Sequence, residues 1–203
     1  LATAMLYSAN LEQEVISDTA RVRFAQRTTA QLQRLERLIQ DVLLFARGES
    51  IGRDIIEVDA LMLEVAQTME PLCRAQGVEF MHASQVAGAM ITGSRKALVG
   101  ALLSLLENAL QACETANTCK IGFNAIIEEN QVKIMVSDTG KGIPEQIKTR
   151  IFEPFFTTRG QGTGLGLPIV RGVARAHGGS IEVTSEAGIG TEFILSLPVG
   201  SRQ

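Results

Sequence analysis

No apolar run in this 203-residue chain is long enough to cross a membrane. The longest, Ala97 to Leu106, falls far short of the roughly 20 residues a spanning helix needs, and no signal peptide is visible. Basic residues are not in excess either. Nineteen Lys and Arg against 22 Asp and Glu give a net charge of −3 and a pI near 5.5, which excludes a broad nucleic-acid surface built on clustered cations. There are two histidines, His82 and His177, and three cysteines, Cys73, Cys113 and Cys119, without C-x-x-C spacing. No structural zinc site follows from that set, and an odd cysteine count favours reduced thiols in cytosol over a disulfide framework. What the chain does have is 45% apolar and 20% charged side chains. That is enough to bury one full domain with a smaller element beside it, and it excludes a disordered chain.

The pattern changes near residue 48. Residues 19 to 47 predict one helix, with Ala25, Thr28, Leu32, Leu35, Ile39, Val42 and Ala46 at alternating steps of three and four, an a/d seam. Residues 1 to 16 predict a shorter helix, about 24 Å long against about 43 Å for the next. Gly48 and Gly52 then break the pattern. Beyond them Asp59 can cap a helix to about Ala75, and Ser94 can cap another that carries Asn108. Strand patterns follow at Lys120 to Glu128 and Val132 to Asp138, joined by the polar turn Glu129-Asn130-Gln131. A helix over Thr163 to His177 and strands Ser180 to Ser185 and Thr191 to Pro198 complete the reading. Mixed strands with helices on one side make an α+β, two-layer sandwich the simplest architecture. The expected organisation is a partial helical hairpin over 1–48, a linker over 49–54 and a main domain over 55–203.

Four clusters stand out in order: Glu107-Asn108-Ala109, Asp138-Thr139-Gly140-Lys141-Gly142, Phe152-Glu153-Pro154-Phe155-Phe156, and Gly162-Thr163-Gly164-Leu165-Gly166-Leu167. Any one alone is weak, because glycine clusters usually mark ordinary turns. Together they resemble the N, G1, F and G2 boxes of the catalytic, ATP-binding domain of sensor histidine kinases, within the superfamily that includes gyrase, Hsp90 and MutL. The short lid and Thr157-Thr158-Arg159 are similar to the nitrogen-regulation and flagellar-regulation subgroup.

The chemistry of these residues suits that role. Asp138 can accept a hydrogen bond from the adenine 6-amine and so select adenine over guanine. Gly140 and Gly142 allow backbone to pass close to the base, where a Cβ would obstruct. Asn108 offers a hard amide oxygen for Mg²⁺, an ion that keeps several waters and joins protein through few groups. Gly162, Gly164 and Gly166 lead into a helix whose free amides can hold phosphate oxygens. The resemblance implies further nucleotide contacts at Ile143, Phe156, Thr158, Thr163, Leu165, Leu167 and Thr191. Arg159 could pair with the γ-phosphate and Lys141 with a phosphate or the lid, the alternative for each being a solvated charge. Phe152, Phe155 and Phe156 are expected to anchor the lid by packing. Glu128-Glu129 reads as a hairpin charge cluster rather than an acid/base dyad.

Two departures from the family pattern matter. The position four residues before Asn108, often Asn in the family and Glu in gyrase-type ATPases, is Ser104, which cannot act as general base for water attack. Glu107 projects from another helix face. The His-Glu-Ile-Arg-Asn/Thr-Pro box expected just upstream of Leu1 to Leu6 is absent, so the resemblance implies a chain cut after its phosphoacceptor histidine. His82 is expected to be structural or surface-exposed, and His177 to cap a helix C-terminus as a cation. No catalytic residue is then assigned. The expected activity is an ATP- and Mg²⁺-dependent, cytoplasmic protein-histidine kinase. In the whole protein it would transfer the γ-phosphate to its own histidine and then to the aspartate of a response-regulator receiver domain. Partners implied are ATP or ADP and a second copy through residues 25–46, weakened or rearranged by the truncation. Nucleic acid and direct membrane contact are not implied. Two other readings stay open: an inert nucleotide-binding and dimerisation module, or a gyrase- or Hsp90-like ATPase or anti-sigma-type serine kinase.

Overall fold

The computed structural model describes residues 19–29, 32, 54–114, 118–158 and 162–200. The chain divides into two compact units, Leu1–Ala46 and Arg47–Gln203. In the first, residues 19–29 and 32 are helical, as the heptad spacing predicts, and Val22 and Leu32 are more than half exposed. The rest of the predicted seam, from Leu35 to Ala46, lies outside the described residues, as does the break at Gly48 and Gly52.

The second unit runs β1 (Asp54–Glu57), α1 (Val58–Ala75), β2 (Glu79–Gln85), β3 (Met90–Gly93), α2 (Arg95–Ala112), β4 (Lys120–Glu128), β5 (Gln131–Asp138), α3 (Glu145–Lys148), α4 (Gly166–Ala176), β6 (Ser180–Glu186) and β7 (Gly190–Pro198). Five strands form one sheet in the order β2-β4-β5-β7-β6, and β1 pairs with β3 in a small second sheet. The β2–β4 pair is parallel and the remaining pairs of the large sheet are antiparallel. Strict alternation along β5 buries Val132, Ile134, Val136 and then Asp138. Because side chains in a strand change face at every residue, the period that builds the core also delivers a carboxylate to the inner face.

Helices α1, α2 and α4 pack on that face. Their buried stripes, including Leu61, Val65 and Met69 of α1, Leu98, Leu102 and Leu105 of α2, and Ile169, Val170 and Val173 of α4, meet Ile121, Phe123, Ile134 and Leu195 of the sheet. Arg95 at the start of α2 reaches Glu64 of α1 at 2.6 Å. This is the two-layer α+β sandwich expected from the sequence. Among the described residues no helix is long and apolar enough to cross a membrane.

Several local expectations are corrected. Ser94 does cap α2, accepting from the Ala97 amide. Asp59 does not cap α1; the N-cap is Glu57, and Asp59 sits in the first turn, where it accepts from the Ser84 hydroxyl of β2. A side chain within reach of a neighbouring strand has been drawn to it in preference to its own helix end. The β4–β5 turn is tighter than predicted, using only Glu129 and Asn130, both at positive φ, the geometry that matches strand twist in a two-residue hairpin. Cys113 and Cys119 form a disulfide, with Cα atoms 5.5 Å apart, against the expectation of reduced thiols. The chain doubles back there between the end of α2 and the start of β4, so proximity comes from the return of the backbone and needs no C-x-x-C spacing. Cys73 remains a free thiol on the buried face of α1.

Candidate functional site

Asp138 ends β5 with 9% of its surface exposed, and its Oδ1 accepts from the Gly140 amide at 2.9 Å. The turn that follows is pressed against two other elements. The Lys141 amide donates to the carbonyl of Ala112 at the end of α2, and a Cβ on Gly140 would lie 2.5 Å from that oxygen. Gly142 has φ +63°, and a Cβ there would lie 2.0 Å from the Glu186 carbonyl. Glycine is required here by the protein's own backbone, not only by a base passing close as the sequence suggested. On the far side of the turn the Ile143 amide donates to Ser185 Oγ at 2.8 Å, which ties the loop to the β6–β7 hairpin. Thr191 stands opposite Asp138 in the β5–β7 register and is likewise buried.

The second glycine cluster meets the Asn108 helix. A Cβ on Gly166 would sit 2.7 Å from Ser104 Oγ and 4.0 Å from Asn108 Nδ2, so the start of α4 lies directly on the face of α2 that carries both side chains. The helix begins at Gly166 rather than Thr163. Gly164 has φ +68°, which an α-helix cannot contain, and Thr163 Oγ1 instead accepts from the Leu165 amide. No side chain caps α4, so the Gly166 and Leu167 amides of its first turn are available to an anion beside Asn108; Pro168 has no N–H and the Ile169 amide donates to Leu165. Glu107 is exposed on α2, away from this cluster.

The aromatic segment is held less tightly than predicted. Phe152 lies under the Arg171 guanidinium, 5.4 Å from the ring centroid, and Arg171 Nη2 also donates to the Phe152 carbonyl at 2.9 Å. Arg150 covers Phe156 at 4.3 Å. Phe155, expected as a third anchor, is 73% exposed at φ +65°. Its amide donates to the Gly164 carbonyl at 2.9 Å, and Gly164 packs on its backbone. That backbone contact turns the ring outward.

Of the other predicted site residues, Lys141 and Thr158 are exposed, Ile143, Gly162 and Leu167 are partly covered, and Leu165 is buried in the core. Arg159 lies outside the described residues. Sequence reasoning missed Arg171, Arg150 and Ser185. The two cation–aromatic contacts carry no periodic signal, and Ser185 looks like any serine near a hairpin until the strands are paired.

The two histidines have different surroundings. His177 is buried, with Nδ1 2.7 Å from the Val173 carbonyl and Nε2 accepting from the Ser94 amide at 3.0 Å. Those partners require the neutral, Nδ1-protonated ring. His177 is the C-cap of α4, as expected, and it bridges that end to the start of α2 through its ring; only the expected positive charge is corrected. His82 is exposed on the edge strand β2. Glu128 pairs with Lys133 across the β4–β5 hairpin, as a charge cluster should, and that hydrogen bond raises the Lys133 pKa.

Comparison with known proteins shows the family and the fold. Residues 93–201 match the family described as histidine kinase-, DNA gyrase B- and HSP90-like ATPases. The sensor protein kinase FleS of Pseudomonas aeruginosa is 36% identical over 199 residues, covering 98% of this chain and 48% of FleS. The chain spans about half or less of the length of the curated relatives it matches. Among solved structures, full-length ShkA in complex with AMPPNP aligns with a TM-score of 0.77 at 28% identity, over 98% of this chain and 43% of that one. The nucleotide-free catalytic domain of histidine kinase ThkA aligns with a TM-score of 0.65 at 31% identity, over 72% of this chain and 95% of that one. The chain belongs to the histidine kinase-, DNA gyrase B- and HSP90-like ATPase family and carries an ATP-binding catalytic domain of that kind.

Proposed function

We propose that this chain is the catalytic region of a sensor histidine kinase that holds adenine at Asp138 and phosphates at the start of α4. The observation that carries the reading is the meeting of three distant segments: a buried carboxylate at the end of β5, the Asn108 face of α2, and an uncapped helix start touching that face through Gly166. Asp138 accepts from the adenine 6-amine, Gly140 and Gly142 set the turn beneath it, and Thr191 flanks the same base edge. Ile143, Leu167 and Phe156 line the nucleotide, whereas Leu165, expected there, stays in the core. Gly162, Thr163, Gly164 and Gly166 offer backbone amides to the phosphates, with Thr158, Lys141 and Arg159 at the lid. Asn108 suits Mg²⁺ because a lone carboxamide beside phosphate oxygens is the sparse protein contact that ion prefers. Such an ion would neutralise charge on the β- and γ-phosphates.

In the whole protein, the γ-phosphate passes to a histidine outside this chain and then to a receiver-domain aspartate on a response regulator. Residues 1–48 form part of the dimerising hairpin, with 25–46 as the seam, followed by a linker at 49–54 and the catalytic domain at 55–203. Likeness to FleS favours a flagellar-regulation role in the cytoplasm. Ser104 in place of a carboxylate, and an exposed Glu107, favour phosphotransfer over hydrolysis by activated water. This chain does not phosphorylate itself, since His177 has both ring nitrogens engaged and His82 sits on a sheet edge.

Incubation with γ-labelled ATP and Mg²⁺ tests both parts. The expected result is saturable nucleotide binding without acid-labile label on the protein. Stoichiometric acid-labile phosphate would overturn the assignment of its histidines, and failure of the folded chain to retain nucleotide would overturn the site.

A further inference from the structure

Ser185 enters the site above only as the anchor of the Ile143 amide, yet its hydroxyl has further partners beside Asp138. It is buried, with 8% exposure, and has three partners: the Ile143 amide at 2.8 Å, the Gly190 carbonyl at 2.8 Å and Thr191 Oγ1 at 2.9 Å. A hydroxyl has one proton to give and two lone pairs to receive with. The Gly190 carbonyl can only accept, so the Ser185 proton goes there. The Ile143 amide can only donate, so it takes one lone pair. The second lone pair is left for Thr191, and in that contact Thr191 must be the donor.

This accounting fixes the polarity of Thr191. Its single proton is committed to Ser185, so whatever it turns toward the cleft consists of lone pairs. Thr191 stands opposite Asp138 across the β5–β7 ladder, and a carboxylate also only accepts. We propose that Ser185 is a positioning and specificity-determining residue: by holding the Thr191 proton, it keeps the base-facing wall made of Asp138 and Thr191 free of donors. The inference rests on the reading that adenine binds at Asp138. A 6-amino purine supplies two donors to such a wall. A 6-oxo purine turns an acceptor to acceptors and keeps only its N1 proton to donate, so it is disfavoured, because an unmatched polar contact in a buried site costs more than a matched one gains. The same hydroxyl anchors the Ile143 amide, so selectivity and the seating of the glycine turn share one atom.

The test compares ADP with inosine diphosphate, which differs at the 6-position by oxygen for amine and a proton on N1. Titration calorimetry with Mg²⁺ on the full chain would be run for wild type and for Ser185→Ala, with thermal melting as a fold check. In Ser185→Ala, Thr191 is free to rotate and donate to a 6-oxygen. The ratio of ADP to inosine diphosphate affinity is expected to fall about tenfold, one hydrogen bond's worth, and Ser185→Ala/Thr191→Val, which has no hydroxyl to donate, is expected to lose the gain in inosine diphosphate affinity. General loosening would weaken both nucleotides equally and leave the ratio unchanged, and that outcome overturns the proposal. If Ser185→Ala does not fold, Ser185→Cys decides, because a thiol fills the position but accepts weakly. An intermediate ratio supports the inference and a wild-type ratio refutes it. Failure of the wild type to prefer ADP at all, or a preference that survives Asp138→Ala, would instead refute the adenine site on which the inference depends.

Discussion

The two ends of the cleft are built differently. Around Asp138, the turn from Gly140 to Gly142 has no room for a single added methyl, its amides at Gly140, Lys141 and Ile143 all donate within the protein, and Ser185 is saturated. At the aromatic segment, Glu153, Pro154, Phe155, Thr157 and Thr158 are exposed, and the attachments include two arginine–ring contacts, the Arg171 bond to the Phe152 carbonyl and the Phe155 amide bond to Gly164. If adenine binds at Asp138 as proposed, a site assembled this way would be preorganised for the base and would leave the phosphate side to be completed by its ligand. Affinity should then come mainly from the first end, where no ordering cost is incurred on binding, and the second end should respond to the γ-phosphate.

The largest effect is expected from breaking the rigid end chemically. Asp138→Ala should weaken ADP and ATP binding by about a hundredfold, in line with roughly 1.5–3 kcal/mol for a hydrogen bond to a charged group; affinity within threefold of wild type would remove Asp138 from the base site. Breaking the same end sterically should show in stability. Gly142→Ala places a Cβ against the Glu186 carbonyl at positive φ, and about 2–3 kcal/mol of destabilisation is expected, or roughly 5–10 °C in Tm. Gly172→Ala, in α4 with nothing within 4 Å of the new Cβ, should instead raise Tm slightly. Equal effects at the two glycines would contradict the packing described for the turn.

The looser end offers a smaller and more selective change. Arg171→Ala removes the guanidinium over Phe152 and its bond to the Phe152 carbonyl, worth about 1 kcal/mol together. It should reduce ATP affinity several-fold while leaving adenosine affinity unchanged, and a matching loss for adenosine would show that the aromatic segment supports the base end as well. The smallest expected effect is at Cys73, which touches neither end. Burial raises its thiol pKa above the ordinary 9.0. The folded state therefore holds that proton more tightly than the unfolded chain. Stability from this group is unaffected below about pH 9 and falls as pH rises toward the folded value. Native protein should leave Cys73 unalkylated at pH 8, and rapid labelling would contradict its burial.

The rigid end was also the more legible in sequence, for a physical reason. Period-2 alternation defines β4 and β5 closely enough that β4 runs over Lys120–Glu128 as predicted, and the same alternation points Asp138 inward. Ser94 marks the start of α2 because a cap is a local bond. What stayed hidden depends on pairing between distant segments. Strands β1 and β3 are four residues each, and Ile55 is 73% exposed, so they carry almost no periodic signal. The Cys113–Cys119 bridge, the neutral His177 link to Ser94 and the Ser185 hub all require knowing which backbone returns beside which. The lid is expected from the resemblance and its aromatic cluster, neither of which reveals that Phe155 is turned outward beside Gly164.

Calorimetric titration of the intact chain with Mg²⁺ and ADP, beside GDP and the Asp138→Ala variant, tests the central claim most directly. Adenine-specific binding in the micromolar range, about −8 kcal/mol, that is lost in the variant is the predicted result. Equal binding of ADP and GDP, or no binding by a chain that melts cooperatively, would contradict a preorganised adenine site at Asp138.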